Sequence, residues 1–142
     1  MNVRGVLLSV CAAQGLRSAS LPRLRAAGAA ATRRLSVTGP IWEASDAEAP
    51  LVELYTKGGC SLCDEAKAVL EACRDAAPHS LSAVDITDEA NFEWKKRYKY
   101  DIPVLHVNGA YWTKHRVTAE EVVAAVAEAR TGAFAPRGGQ PA

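Results

Sequence analysis

Two cysteines three residues apart, Cys60-Ser61-Leu62-Cys63, are the residues in this 142-residue chain whose type and spacing speak most directly of chemistry. At helical spacing, side chains i and i+3 lie about 5–6 Å apart, close enough to close a disulfide with small adjustment. Zinc sites use the same spacing but generally need four ligands, usually as a second pair. Only Cys73, His79, His106 and His115 follow, none in paired spacing, and Cys11 lies in the N-terminal leader. No metal site is expected, and Cys60 and Cys63 are read as a redox-active dithiol. Lys57, Gly58 and Gly59 immediately precede Cys60. They supply a nearby cation and a turn that leaves the sulfur approachable, although a turn needs permissive dihedrals for its own sake. Roughly 40 residues on stands Ile102-Pro103 at the start of an apolar run. Two readings of that proline stay open on spacing alone. A cis proline facing the cysteine turn would free the backbone of Ile102 to pair with an extended substrate. An ordinary edge-strand proline would carry no function.

The elements that must position these residues follow from hydrophobic periodicity. Leu51-Val52-Glu53-Leu54-Tyr55-Thr56 is a short β-favouring run that stops at the Lys57-Gly58-Gly59 turn. From 60 to 76 the period becomes helical, with Leu62, Ala66, Val69, Leu70 and Cys73 on one stripe, Cys73 being read as core, and Pro78 beyond. Residues 81–86 alternate like a half-buried strand, and Thr87 or Asp88 can cap a second helix running past Phe92 and Trp94, read as packing aromatics, to Tyr98. Val104-Leu105-His106-Val107 leads into Asn108-Gly109, the strongest short hairpin signal, and a returning strand at 110–112. Thr118 and Glu121 form a capping box ahead of a helix with Val122, Val123 and Val126 facing inward. The expected order is β-α-β-α-β-β-α. It describes an α/β protein with a four-stranded mixed sheet and helices on both faces, the thioredoxin fold in minimal form. Cys60 then sits where a strand ends and a helix begins. There, free backbone N–H groups and the positive end of the helix dipole stabilise a thiolate. Lys57 adds to that effect, whereas Asp64 and Glu65 oppose it. Cys63, one turn on and nearer the core, is placed to resolve a mixed disulfide.

Charge divides the chain. Six arginines and no acidic residue precede Glu43, whereas 11 basic and 16 acidic side chains follow from there, a net of about −5. An acidic domain gives no support to nucleic-acid binding. No apolar run approaches the ~18 residues of a membrane span. The Arg-, Ala- and Ser-rich leader has the composition of a mitochondrial transit peptide, with Arg33-Arg34-Leu35-Ser36 resembling a processing site. A disordered tail or a misassigned upstream start are the plainer readings. The expected division is a leader over 1–36, a linker over 37–50, the folded domain over 51–130 and a disordered tail over 131–142. The expected location is the mitochondrial matrix, otherwise the cytoplasm. Lys95, Lys96, Arg97 and Lys99 form a basic run beside Tyr98 and Tyr100, most simply a solvated helix face.

Tyr55-Thr56-Lys57-Gly58-Gly59-Cys60-Ser61-Leu62-Cys63-Asp64, together with Asp101-Ile102-Pro103-Val104-Leu105, resembles the glutaredoxin-like family of small proteins. The resemblance covers about 80 residues. It implies the thioredoxin fold, a cis Pro103, Cys60 as nucleophile and Cys63 as resolving thiol. It also implies that Lys57 holds a glutathione carboxylate; with the backbone of Ile102 beside Pro103, Lys57, Ile102 and Pro103 are the expected substrate contacts. In glutaredoxins a residue of the helix carrying the basic run contacts the glycine carboxylate of glutathione. Glutaredoxins usually carry Pro-Tyr between the cysteines, where this chain has Ser61-Leu62. Their Gly-Gly turn and Cys-Asp or Ser-Asp pair, which grip the γ-glutamyl end of glutathione, have no counterpart in Trp112-Thr113-Lys114-His115-Arg116-Val117-Thr118-Ala119-Glu120.

The function expected from these residues is thiol–disulfide exchange on a disulfide-containing protein or a glutathione mixed disulfide. The protein would be monomeric and without bound cofactor, with glutathione a candidate reductant. A non-catalytic thioredoxin-fold binding or assembly module is the alternative. Carriage of a [2Fe–2S] cluster through Cys60 with glutathione is a third.

Overall fold

The computed structural model describes residues 37–142, and the leader expected over 1–36 lies outside them. In chain order the elements are β1 (Gly39–Trp42), β2 (Leu51–Thr56), α1 (Ser61–Ala72), β3 (Ser80–Asp85) and a 3-10 turn (Glu89–Asn91). They continue with α2 (Phe92–Tyr98), β4 (Val104–Val107), β5 (Ala110–Lys114) and α3 (Ala119–Arg130). The strands form one sheet in the order β1-β3-β2-β4-β5. β2 runs parallel to β3, while β4 is antiparallel to both β2 and β5. From β2 onward this is the expected thioredoxin-fold order. No helix among the described residues is long and apolar enough to cross a membrane.

The sheet has five strands rather than four. The additional β1 pairs antiparallel with β3, Gly39 opposite Ala83 and Pro40 opposite Ser82, inside the stretch expected to be a linker. Gly39 and Pro40 give that stretch a turn-like composition, and the strand is held by distant contacts instead. The Trp42 indole N–H donates to the His79 carbonyl at 2.9 Å, and the Arg74 guanidinium lies 4.8 Å over its ring. The 131–142 stretch likewise makes distant contacts where disorder was expected. Phe134 packs against the core, the Arg137 N–H donates to the Tyr111 carbonyl at 3.0 Å, and the Gln140 amide donates to the Tyr98 hydroxyl at 2.9 Å.

Alternation along the strands sorts side chains between two cores. On one face Val52, Leu54, Leu105 and Val107 meet Ala66 and Leu70 of α1 and Val122, Ala125 and Val126 of α3. On the other, Tyr55 and Val104 meet Tyr98 of α2, with Trp94 half-buried beside them. Helices thus cover both faces. Leu70 and Val122 are fully buried, each stabilising the fold by about 1.5–3 kcal/mol relative to exposure. Cys73 is a core residue, as its position on the apolar stripe predicts, and burial raises its thiol pKa. Phe92, by contrast, is 57% exposed and does not pack inward.

Local chemistry sets the element ends. Asn108 and Gly109 both adopt positive φ, 49° and 80°, as the tight hairpin between β4 and β5 requires. The capping box at α3 is complete: the Glu121 N–H donates to Thr118 Oγ1 at 3.3 Å and the Thr118 N–H to Glu121 Oε2 at 2.8 Å. The expected cap of α2 is not formed. Thr87 gives its N–H and hydroxyl to Asp85 Oδ1, and Asp88 accepts from the Thr38 hydroxyl at 2.6 Å. A 3-10 turn therefore comes between, and α2 begins only at Phe92.

Candidate functional site

β2 ends at Thr56, the chain turns through Lys57, Gly58 and Gly59, and α1 begins at Ser61 with Cys60 as its N-cap. Gly59 takes φ 75°, which closes the turn without a Cβ penalty. Cys60 is extended, φ −94° and ψ 102°, and its Sγ accepts from the Cys63 N–H at 3.3 Å. The sulfur thus meets one of the N–H groups that a helix start leaves unpaired. Cys60 and Cys63 are joined in a disulfide with Cα atoms 5.3 Å apart. Their environments differ: Cys60 is half-buried, whereas Cys63 is 2% exposed. Asp64 is the acidic residue of the same first turn. Among the described residues, no three His, Cys, Asp or Glu side chains gather to hold a metal ion.

The Ile102–Pro103 bond is cis, as the resemblance implies. Because Tyr55 pairs with Val104, Pro103 lies one step on, beside the end of β2 and the cysteine turn. β4 is flanked by β2 and β5, so the edge-strand reading of Pro103 does not apply. The Pro103 carbonyl accepts from the His115 N–H at 2.7 Å, while the backbone of Ile102 has no hydrogen-bond partner among the described residues. Asp101 Oδ1 accepts from Lys114 Nζ at 2.6 Å and lies 3.6 Å from His115 Nε2, tying this loop to β5. The same hydrogen bond raises the Lys114 pKa.

Cys60 and Cys63 are joined directly, and Lys57 and Pro103 are brought to the same end of the sheet. Lys57 is exposed in its turn and, with Lys67, Asp64 and Cys63, borders a groove of about 170 Å³ on the β3 side. Val37 and Ile41 complete that groove. Sequence reasoning missed them because they lie in the stretch taken for a linker. The apolar pair Ile41-Trp42 was the available signal. Near Pro103, Tyr111 and Trp112 are buried in the two cores, whereas His115 is exposed beside the loop.

His106 Nε2 and the Tyr98 hydroxyl share a hydrogen bond at 2.9 Å, and the Tyr98 hydroxyl accepts from the Gln140 amide. Burial holds the His106 pKa below the ordinary histidine value. The polar chain lies within the aromatic cluster of Tyr55, Trp94 and Tyr111.

Comparison with known proteins agrees with this architecture. The family model of the glutaredoxin-like domain (DUF836) matches residues 51–127. The glutaredoxin-like protein YDR286C homolog of Dictyostelium discoideum is 28% identical over 75 residues, covering 50% of this chain and 69% of that protein. The solution NMR structure of protein Ne2328 from Nitrosomonas europaea superposes with a TM-score of 0.50 at 20% identity, covering 57% of this chain and 95% of that one. That likeness shows a shared fold. With the family match spanning more than half of its length, this chain belongs to the glutaredoxin-like (DUF836) family.

Proposed function

We propose that the chain is a thiol–disulfide oxidoreductase that works through Cys60 and Cys63. The observation that carries this reading is the asymmetry of the pair: a half-buried Cys60 at the N-cap of α1, with its disulfide partner Cys63 only 2% exposed. In the reduced protein the helix terminus stabilises the Cys60 thiolate. That thiolate attacks one sulfur of a substrate disulfide. The substrate S–S bond breaks, one substrate thiolate leaves and takes a proton from solvent, and a mixed disulfide forms on Cys60. Cys63 then loses its proton and attacks Cys60 Sγ. The second substrate thiol departs, leaving the Cys60–Cys63 disulfide, so two electrons have passed to the substrate. Two glutathione thiols, or an equivalent dithiol, restore the reduced pair and are themselves oxidised to a disulfide. Ile102, with a free backbone beside the cysteine turn, supports pairing with an extended substrate. Lys57 supports docking of a carboxylate from the opposite side. The composition of the leader supports action in the mitochondrial matrix.

The test uses reduced protein and hydroxyethyl disulfide, followed by quantifying protein thiols. The expected result is stoichiometric oxidation of the wild type, no reaction of Cys60→Ser, and a trapped mixed disulfide on Cys63→Ser. Unreactive wild type would overturn the reading in favour of a non-catalytic binding module, and exchange that survives Cys60→Ser would overturn the assignment of Cys60 as the nucleophile.

A further inference from the structure

The basic run of the sequence lies in α2 and just beyond it, and the topology fixes where that helix lies. β3 is parallel to β2 and ends with Asp85 opposite Thr56. β4 begins with Val104 opposite Tyr55. The segment between them therefore leaves from, and returns to, the end of the sheet that carries the cysteine turn. α2 packs beside that end, Tyr98 against Tyr55 and Val104, and the chain runs from it through Lys99, Tyr100 and Asp101 into Ile102-Pro103.

Lys95, Lys96, Arg97 and Lys99 are all exposed. Four of the 11 basic side chains after Glu43 sit here, and the remaining seven are outnumbered by 16 acidic ones. Glu93 offsets Lys96 at 3.5 Å, whereas Lys95, Arg97 and Lys99 have no ion-pair partner among the described residues. Two apolar rings stand out beside them, Phe92 57% and Tyr100 83% exposed. Lys96 lies 5.7 Å from the Phe92 centroid and Lys99 4.7 Å from that of Tyr100. A cationic, aromatic surface on an otherwise acidic domain is complementary to an acidic chain, and opposed potentials steer encounter and suppress wrong partners.

We propose that the disulfide substrate is a protein whose disulfide is flanked by an acidic segment, which docks across α2 while the disulfide reaches Cys60. This rests on the dithiol activity proposed above and names its substrate class. Affinity comes from carboxylates on Lys95, Arg97 and Lys99 and from apolar contact with Phe92 and Tyr100.

The experiment follows oxidation of the reduced full chain by four probes. Three are dimeric cystine peptides identical except for flanking Asp/Glu, Ser/Gly or Lys residues, and the fourth is oxidised glutathione. Each rate is divided by that of the same probe with a small neutral thiol, which removes intrinsic disulfide reactivity. At 20 mM salt the acidic peptide is expected to react at least about 10-fold faster than the neutral one, the low end of electrostatic steering. At 0.5 M salt the advantage should collapse to about twofold as screening shortens. In a variant carrying K95E, R97E and K99E the order of acidic and Lys-flanked peptides should invert, with the neutral rate within twofold of wild type. Equal normalised rates for the three peptides overturn the docking proposal and leave the redox activity standing. An advantage for oxidised glutathione equal to that of the acidic peptide also overturns it, since the surface then serves a small anion. Failure of every probe to react removes the activity and this proposal together.

Discussion

Replacing Tyr98 with phenylalanine deletes one hydroxyl from a ring with no solvent exposure and leaves Nε2 of His106, 3% exposed, without its hydrogen-bond partner. The ring volume is unchanged, so little cavity forms. The cost is that of a buried imidazole nitrogen deprived of its hydrogen bond, about 1–3 kcal/mol. Gln140, which loses its acceptor, lies at the surface end of the chain and can turn to water, adding little. For a domain of this size the loss corresponds to a fall in Tm of roughly 4–8 °C per kcal/mol. Urea unfolding at pH 7.5 with the Cys60–Cys63 disulfide intact measures it. The decisive comparison is a double-mutant cycle with His106→Phe. With both polar partners replaced, the Tyr98→Phe step should cost no more than about 0.5 kcal/mol, because no buried ring nitrogen is left stranded. If Tyr98→Phe left stability within about 0.3 kcal/mol of the parent, or cost the same in both backgrounds, the hydrogen-bond chain would not be a stabilising feature of this core.

The pH dependence of stability should follow from His79 and His106, both held below the ordinary value of 6.5 by burial. Below pH 6.5 the unfolded chain binds protons that the folded chain refuses. Their contribution is therefore complete above that pH and declines as pH falls toward the folded-state values. Urea midpoints at pH 7.5, 6.0 and 5.0 should show the decline, smaller in His106→Phe measured against its own pH 7.5 value. At α3, Thr118→Ala removes the hydroxyl that accepts from Glu121 N–H and should lower stability by about 1 kcal/mol, with Thr118→Ser restoring most of it.

What sequence disclosed and what it hid divide along the range of the interactions involved. The hairpin at Asn108-Gly109, the capping box at Thr118 and Glu121, and the helix starting after Cys60 are each written in residues a few positions apart. Each was legible for that reason. So was the cysteine pair, whose spacing is itself the geometry. β1 was not legible, because the forces that hold Trp42 come from His79 and Arg74, more than 30 residues away, while its neighbours Gly39 and Pro40 advertise a turn. The contacts of Arg137 and Gln140 were hidden in the same way. His106 gained its partner only when the strand alternation of β4 faced it toward α2. The delayed start of α2 had a related cause. Asp85 and Thr38 claim Thr87 and Asp88, and propensity at two candidate caps carries no information about such competitors.

The strand order has a consequence for handling the protein. The outermost strands of any sheet present unpaired N–H and C=O groups that recruit strands from other chains. At one margin of this sheet stands β1, four residues long, bearing Pro40 and a register shift between Pro40 and Trp42, all of which discourage addition. At the other, Arg137 already occupies the Tyr111 carbonyl of β5. Both guards lie outside the 51–127 segment that defines the family. A fragment trimmed to that segment keeps the cysteines and loses the protection, baring β3 and β5 to self-association.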